Sequence, residues 1–316
     1  MSARAAPSPV PEPLRVLLAV DGSATADALA QCWARWDPAG PPLHVDLLTV
    51  CPPSPSRPAL PVAPPAPVEA ALLDWGRAQS AAARAAFSTR PIDWTSEVCI
   101  GSPARSIVEQ AQRRDVDLVA LGTRGVNPLR GLLVGSVALR VAQSCRQPLW
   151  LMPPGARPPR ALGRELRLLL AVDGSPAANA AAAWVSRNAH RFGAVRVDLV
   201  SVRPPVATLD ALAPDAVDPH HWTRRLGEAA LAQARAALGA TSPASAVVVD
   251  GETVAALCER ADATDADAIA VAPRGLGAVG QWLLGSVTSA LLQTARRPLL
   301  LLRAASSDKH PEESRQ

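Results

Sequence analysis

The side chains of this 316-residue chain that could do chemistry gather at two kinds of place. One is an acidic turn, Asp21-Gly22-Ser23, at the end of an apolar run. The other is a glycine pattern, Gly122, Gly125 and Gly135, closed by Ser136 and Val137. Both recur. LRVLLAVDGS at 14–23 returns as LRLLLAVDGS at 166–175, and LVALGTRG at 118–125 returns as IAVAPRG at 269–275. In each copy nine residues then lead to Gly-Ser-Val, as Gly135-Ser136-Val137 and Gly285-Ser286-Val287. The chemistry on offer is anion binding. Glycines admit close backbone approach and φ > 0. A helix start presents N–H groups and a positive dipole end to a phosphate, and a serine hydroxyl adds a donor. One cleft could hold a nucleotide this way, with Asp21 near one end and the loop and helix start over the phosphates. Arg124, inside the loop, could face the phosphates or solvent. Two plainer readings stand beside this one: Asp21 as an Asp-Gly turn that needs no ligand, and Ser136 as an N-cap.

Other chemistries find little support. Lys309, in a polar tail, is the single lysine, so the folded body has no lysine for a P-loop or a Schiff base. Five cysteines without CxxC spacing read as reduced, mostly buried thiols and not as a zinc site. No GxSxG or HExxH motif occurs, and His220-His221 reads as a surface pair. Gly275–Gly280 matches G-x-G-x-x-G. It follows the fourth strand of its unit, however, and residues 295–306 contain no Asp or Glu, so a dinucleotide fingerprint is rejected. A net charge of +4 without clustered basic residues or stacking aromatics gives no footprint for nucleic acid.

The elements that must position these residues follow from the repeat. At roughly 100–200 residues per domain the length predicts two domains, and 48% apolar with 19% charged residues excludes wholesale disorder. The first unit reads as strands over 14–20, 45–50, 92–100, 116–121 and 149–152. Its helices fall over 24–36, 68–87, from Ser102-Pro103 to Arg114, and 136–144. The second unit repeats the order. Alternating βα units predict an α/β fold, each unit an open five-stranded parallel sheet with helices on both faces, and ligands bind at the carboxyl ends of such strands. The domains are expected at 14–152 and 166–303, with a Pro-rich linker at 153–165 acting as a semi-rigid spacer and a polar tail at 304–316. A second Pro-rich stretch, Pro52–Pro67, could cover or obstruct the cleft. Trp33 and Trp184 read as equivalent core or interface residues, and Trp75 and Trp222 as a second such pair. Asp115, Asp117, Asp262, Asp265 and Asp267 read as solvated turn carboxylates. Apolar runs of a few residues exclude a membrane span, and the N-terminus shows no secretory h-region, which points to the cytoplasm.

The pattern G-x2-G-x9-G-[ST], following a strand and paired with an upstream LLAVDGS, resembles the universal stress protein family, and the resemblance covers both units. It implies flavodoxin-like or Rossmann-like domains that pair through their last strands, here as an intramolecular pseudo-dimer, with a further homodimer left open. It implies ATP, with or without Mg, as the ligand of a stress-response or regulatory module, and no structural metal. The alternatives are a scaffold that acts through protein partners without nucleotide, and a slow ATPase. Carried over by position, Asp21 would contact adenosine or ribose, and Gly122, Gly125, Gly135 and Ser136 would surround the phosphates, with Arg124 and the Val137 N–H beside them. In the second unit Asp173, Arg274, Gly275, Gly285 and Ser286 remain, but Ala272 replaces the first glycine and Pro273 follows it. An alanine forced to φ > 0 costs about 1–2 kcal/mol and proline removes a donor. The first domain is therefore expected to hold the better site.

Overall fold

The computed structural model describes residues 12–53, 65–125, 134–203, 219–239, 244–273 and 284–303. The first half runs β1 (Leu14–Ala19), α1 (Ala24–Ala34), β2 (Leu43–Cys51), α2 (Ala66–Gln79), α3 (Ala81–Ser88), β3 (Asp93–Ile100), α4 (Pro103–Arg113), β4 (Leu118–Gly122), α5 (Ser136–Ser144) and β5 (Leu149–Met152). The second runs β6 (Glu165–Ala171), α6 (Pro176–Asn188), a 3-10 turn (Ala189–Phe192), β7 (Ala194–Arg203), α7 (Pro219–Leu238), β8 (Ala244–Asp250), α8 (Thr253–Ala263), β9 (Ala268–Val271), α9 (Ser286–Thr294) and β10 (Leu299–Leu301).

Each half is a parallel five-stranded sheet, and the two join into one ten-stranded sheet ordered β3-β2-β1-β4-β5-β10-β9-β6-β7-β8. The seam is an antiparallel pairing of strands, Leu149 to Leu151 of β5 against Leu299 to Leu301 of β10, with Trp150 opposite Leu300. Both strands are fully buried, so neither exposes the unpaired edge that an isolated half would have. Alternation along β1 sends Val16 and Leu18 to one face and Leu17 to the other. The first face packs on α1, α3, α6 and α7, the second on α4, α5, α8 and α9.

Three expectations change in detail. The helix expected over 68–87 is two. Ser80 is buried and its hydroxyl donates back to the Arg77 carbonyl at 3.1 Å, which competes with the helix ladder there. The tryptophan pairing is also different. The caps Ser23 and Ser175 align Trp33 with Val185, and Trp184 lies one position off. An aromatic chain nevertheless crosses between the halves, with Trp150 edge-on to Trp33, Trp33 stacked on Trp36, and Phe192 against both Trp36 and Trp184. The linker is seated on the second half. Its Arg157 N–H donates to Arg296 at 2.8 Å, its Arg160 N–H donates to Asp267 at 3.1 Å, and Leu162 is buried. Arg191 of the second half grips Asp117 of the first with two 2.6 Å bonds. Arg303, buried after β10, donates to the Ala142 carbonyl of α5, and burial pulls its guanidinium down to about 10.

Candidate functional site

β1 ends against the cleft. Val20 continues the strand to Asp21, whose Oδ1 accepts the Ser23 N–H at 3.0 Å. Gly22 takes φ +76 to make the turn, a conformation that costs glycine no steric penalty. Ser23 then caps α1, its hydroxyl accepting the Ala26 N–H at 3.2 Å. On the neighbouring strand β4 ends in Gly122. The Thr123 N–H donates to Met152 at 2.9 Å, and the Gly135 N–H donates to Thr123 O at 2.7 Å. That last bond ties the start of α5 to the end of β4. Gly135 is the N-cap and Ser136 the first helical residue, so the capping role expected of Ser136 falls to Gly135. The first-turn N–H groups of Ser136, Val137 and Ala138 have no partner inside the helix.

These pieces enclose a cleft of about 300 Å³. Asp21, Gly122, Arg124, Gly125, Gly135, Ser136 and Val137 all line it. The loop closes on Asp21 itself, since a β-carbon at Gly125 would overlap Asp21 Oδ2. The Thr123 hydroxyl lies in the wall, fully buried and with no hydrogen-bond partner. Asp27, in the first turn of α1, has its carboxyl pushed up by burial and by the charge of Asp21. On the β2 side, two strands from β4, the lining is apolar: Leu48, Val50 and Pro52, with Ile107 of α4 and Trp75 of α2.

The model of the Universal stress protein family matches residues 14–153 and again 166–303. The chain belongs to this family. A universal stress protein of Mycolicibacterium smegmatis is 26% identical over 299 residues, 91% of this chain and 96% of that one. One of Thermus aquaticus is 36% identical over 137 residues, 43% of this chain and 97% of its own. A solved universal stress protein of Archaeoglobus fulgidus shares the fold with a TM-score of 0.58 at 16% identity, covering 92% of this chain and 98% of that one.

The second half of this universal stress protein has its own cleft, of about 230 Å³, lined by Asp173, Gly285 and Ser286 among others. Asp173 Oδ1 accepts the Ser175 N–H at 3.0 Å, as Asp21 does for Ser23. Arg274 and Gly275 lie outside the described residues, as does most of the Pro52–Pro67 stretch. Pro273 occupies the place of Thr123, so neither the hydroxyl nor the N–H bond to the neighbouring strand has a counterpart.

The reason expected for the first glycine is corrected. Neither Gly122 nor Ala272 has a positive φ, so Ala272 is not strained by its backbone. What Gly122 supplies is room: a β-carbon there would stand 3.0 Å from Thr25 Cγ2 and 3.4 Å from Arg124 O. The residue at the place of Thr25 in the second half is Ala177. The extra methyl thus sits on Thr25 in one half and on Ala272 in the other. Gly122→Ala is expected to lower stability by about 1 kcal/mol through this overpacking. Adding Thr25→Ala should recover most of it. Urea midpoints of the two singles and the double measure the coupling, and strict additivity would refute the exchange.

Sequence reasoning missed Trp75 and Thr123 as cleft residues, while Pro52, the start of the stretch expected to cover or obstruct the cleft, does line it. The usable signal was the isolated helical glycine Gly76. It has a counterpart in Gly227, both seated against the second and third strands of their halves through Cys51 and Val98, or Ser201 and Val248. This register places Leu226, and not Trp222, at the position of Trp75.

Proposed function

We propose that this universal stress protein binds an adenine nucleotide, ATP, in the cleft of its first half, and that occupancy of that cleft is the signal it carries in a cytoplasmic stress response. The observation that carries the reading is the joining of β4 to α5. The Gly135–Thr123 bond holds a helix N-terminus, two close-approach glycines and Arg124 around one side of a cleft whose β2 side is apolar. The residues present fit a triphosphate. Three first-turn N–H groups, the Thr123 and Ser136 hydroxyls and the helix dipole all favour an anion. A Mg ion bound with ATP would bring its own charge to the phosphates. Asp21 is the one carboxylate lining the cleft among the described residues, and it is already engaged by its own turn. The reading is therefore of a binding module and not of an efficient hydrolase. Calorimetric titration of nucleotide-stripped full-length chain with Mg-ATP is expected to show saturable binding near one site per chain. Absence of both heat and co-purified nucleotide would leave the scaffold reading in its place.

A further inference from the structure

We propose that Trp75 is the stacking wall for the base in this cleft and makes the site selective for purine nucleotides. The inference rests on the nucleotide reading and adds to it the side chain that holds the base and the discrimination between purine and pyrimidine that this side chain makes.

Trp75 is a large side chain left 46% exposed, and it lines the cleft together with Val50 and Pro52. Three contacts of its neighbours on α2 fix where it sits. Gly76, the one buried residue of that helix, lets the backbone settle onto Cys51 and Val98. The Cys51 thiol donates to the Leu72 carbonyl at 3.2 Å, a turn earlier. Gln79, one turn beyond Trp75 on the same helix face, presses on Gly22, so that any β-carbon there would collide with its amide. The helix is thus held at both the β2 end and the Asp21 turn, and the indole between these contacts stands on the apolar β2 side of the cleft. That side lies two strands from β4, whose loop and the α5 start take the phosphates. A base placed there would have Val50, Pro52 and the Trp75 indole as its lining, and stacking on an indole is stronger for the larger ring system of a purine.

The second half lacks the device. Leu226 stands at the position of Trp75 and Ala230 at that of Gln79. Ala230 is what a β-carbon on Gly174 would touch, at 3.4 Å. Leu226 is exposed, but it does not line the second cleft. The two clefts therefore differ at their base ends as well as at their loops.

The test is titration of the full-length chain with ATP, GTP, UTP and CTP, comparing wild type with Trp75→Ala, Trp75→Phe and Leu226→Ala. Wild type is expected to bind the two purine nucleotides roughly tenfold tighter than the pyrimidine ones. Trp75→Ala should weaken ATP by roughly tenfold, leave UTP within about twofold and so erase the preference. Trp75→Phe should retain most of it, and Leu226→Ala should change nothing. The site is on the surface of α2, so circular dichroism should confirm an unaltered fold. If Trp75→Ala binds ATP as wild type does, or keeps the purine preference, the stacking role is wrong while the nucleotide reading stands. If wild type binds none of the four, the nucleotide reading itself fails and this inference with it.

Discussion

Gly135→Val is expected to remove the proposed nucleotide binding from the first cleft, raising the Kd for Mg-ATP about a hundredfold or more. The position has no room for the substitution. A β-carbon at Gly135 would already stand 3.0 Å from Thr123 O and 3.7 Å from Arg124 Cα, both backbone atoms that cannot rotate away. The two further methyl groups of valine force the helix start off the loop and break the 2.7 Å bond from Gly135 to Thr123. The N–H groups of Ser136, Val137 and Ala138 move with it. Hydrogen bonds to a charged group contribute about 1.5–3 kcal/mol each, so losing even one or two reaches two decades in affinity. The matching change Gly285→Val, at the N-cap of α9, should leave the measured Kd unaltered. Calorimetry on both variants decides the matter. Loss of the heat by Gly285→Val alone would move the working site to the second half.

Asp267→Ala lowers the stability of the chain by about 3 kcal/mol. Asp267 is buried, and its two oxygens accept the Arg160 N–H at 3.1 Å and the Arg167 N–H at 2.9 Å. Its own N–H donates to the Arg167 carbonyl at 2.8 Å. One side chain thus fastens the linker and the start of β6 to the start of β9. Alanine leaves two donors without a partner, each costing about 1–3 kcal/mol where water cannot reach it. Urea unfolding should show the midpoint falling by on the order of 1 M. Asp74→Ala makes the comparison, because that carboxylate is exposed and pairs with Arg77 on the same helix; it should cost under about 0.5 kcal/mol. Equal shifts for the two variants would show that Asp267 fastens nothing.

What could be read from the sequence divides along the range of the interactions. The β1 strand, the Asp21-Gly22 turn and the Ser23 cap depend on neighbours a few residues away, and the string LRVLLAVDGS carries all three. The parallel βα order and the gathering of Asp21, Gly122 and Gly135 followed from topology, which the repeat displays twice. Features set by distant partners were not legible. Asp267 reads as a solvated turn residue until Arg160 and Arg167 are brought to it. The linker reads as a spacer until its arginines find Asp265 and Asp267. The reason for glycine at Gly122 is Thr25, on another element, and a preference for φ > 0 was the wrong explanation because proximity leaves no local trace. Trp75 was misaligned for a related cause. A tryptophan draws the eye to Trp222, whereas the register is set by the two small residues Gly76 and Gly227.

The seam between β5 and β10 has a consequence for inheritance. In an assembly of identical subunits every change at a shared surface is made twice, and a large residue on the axis must face its own copy. Here Trp150 lies opposite Leu300 because the two edges are encoded separately. The same separation lets one half carry Ala272, Pro273 and Leu226 where the other carries Gly122, Thr123 and Trp75. The halves meet at a fixed one-to-one ratio whatever the abundance of the protein, since their joining is unimolecular. Selection can therefore retune one cleft without altering the other.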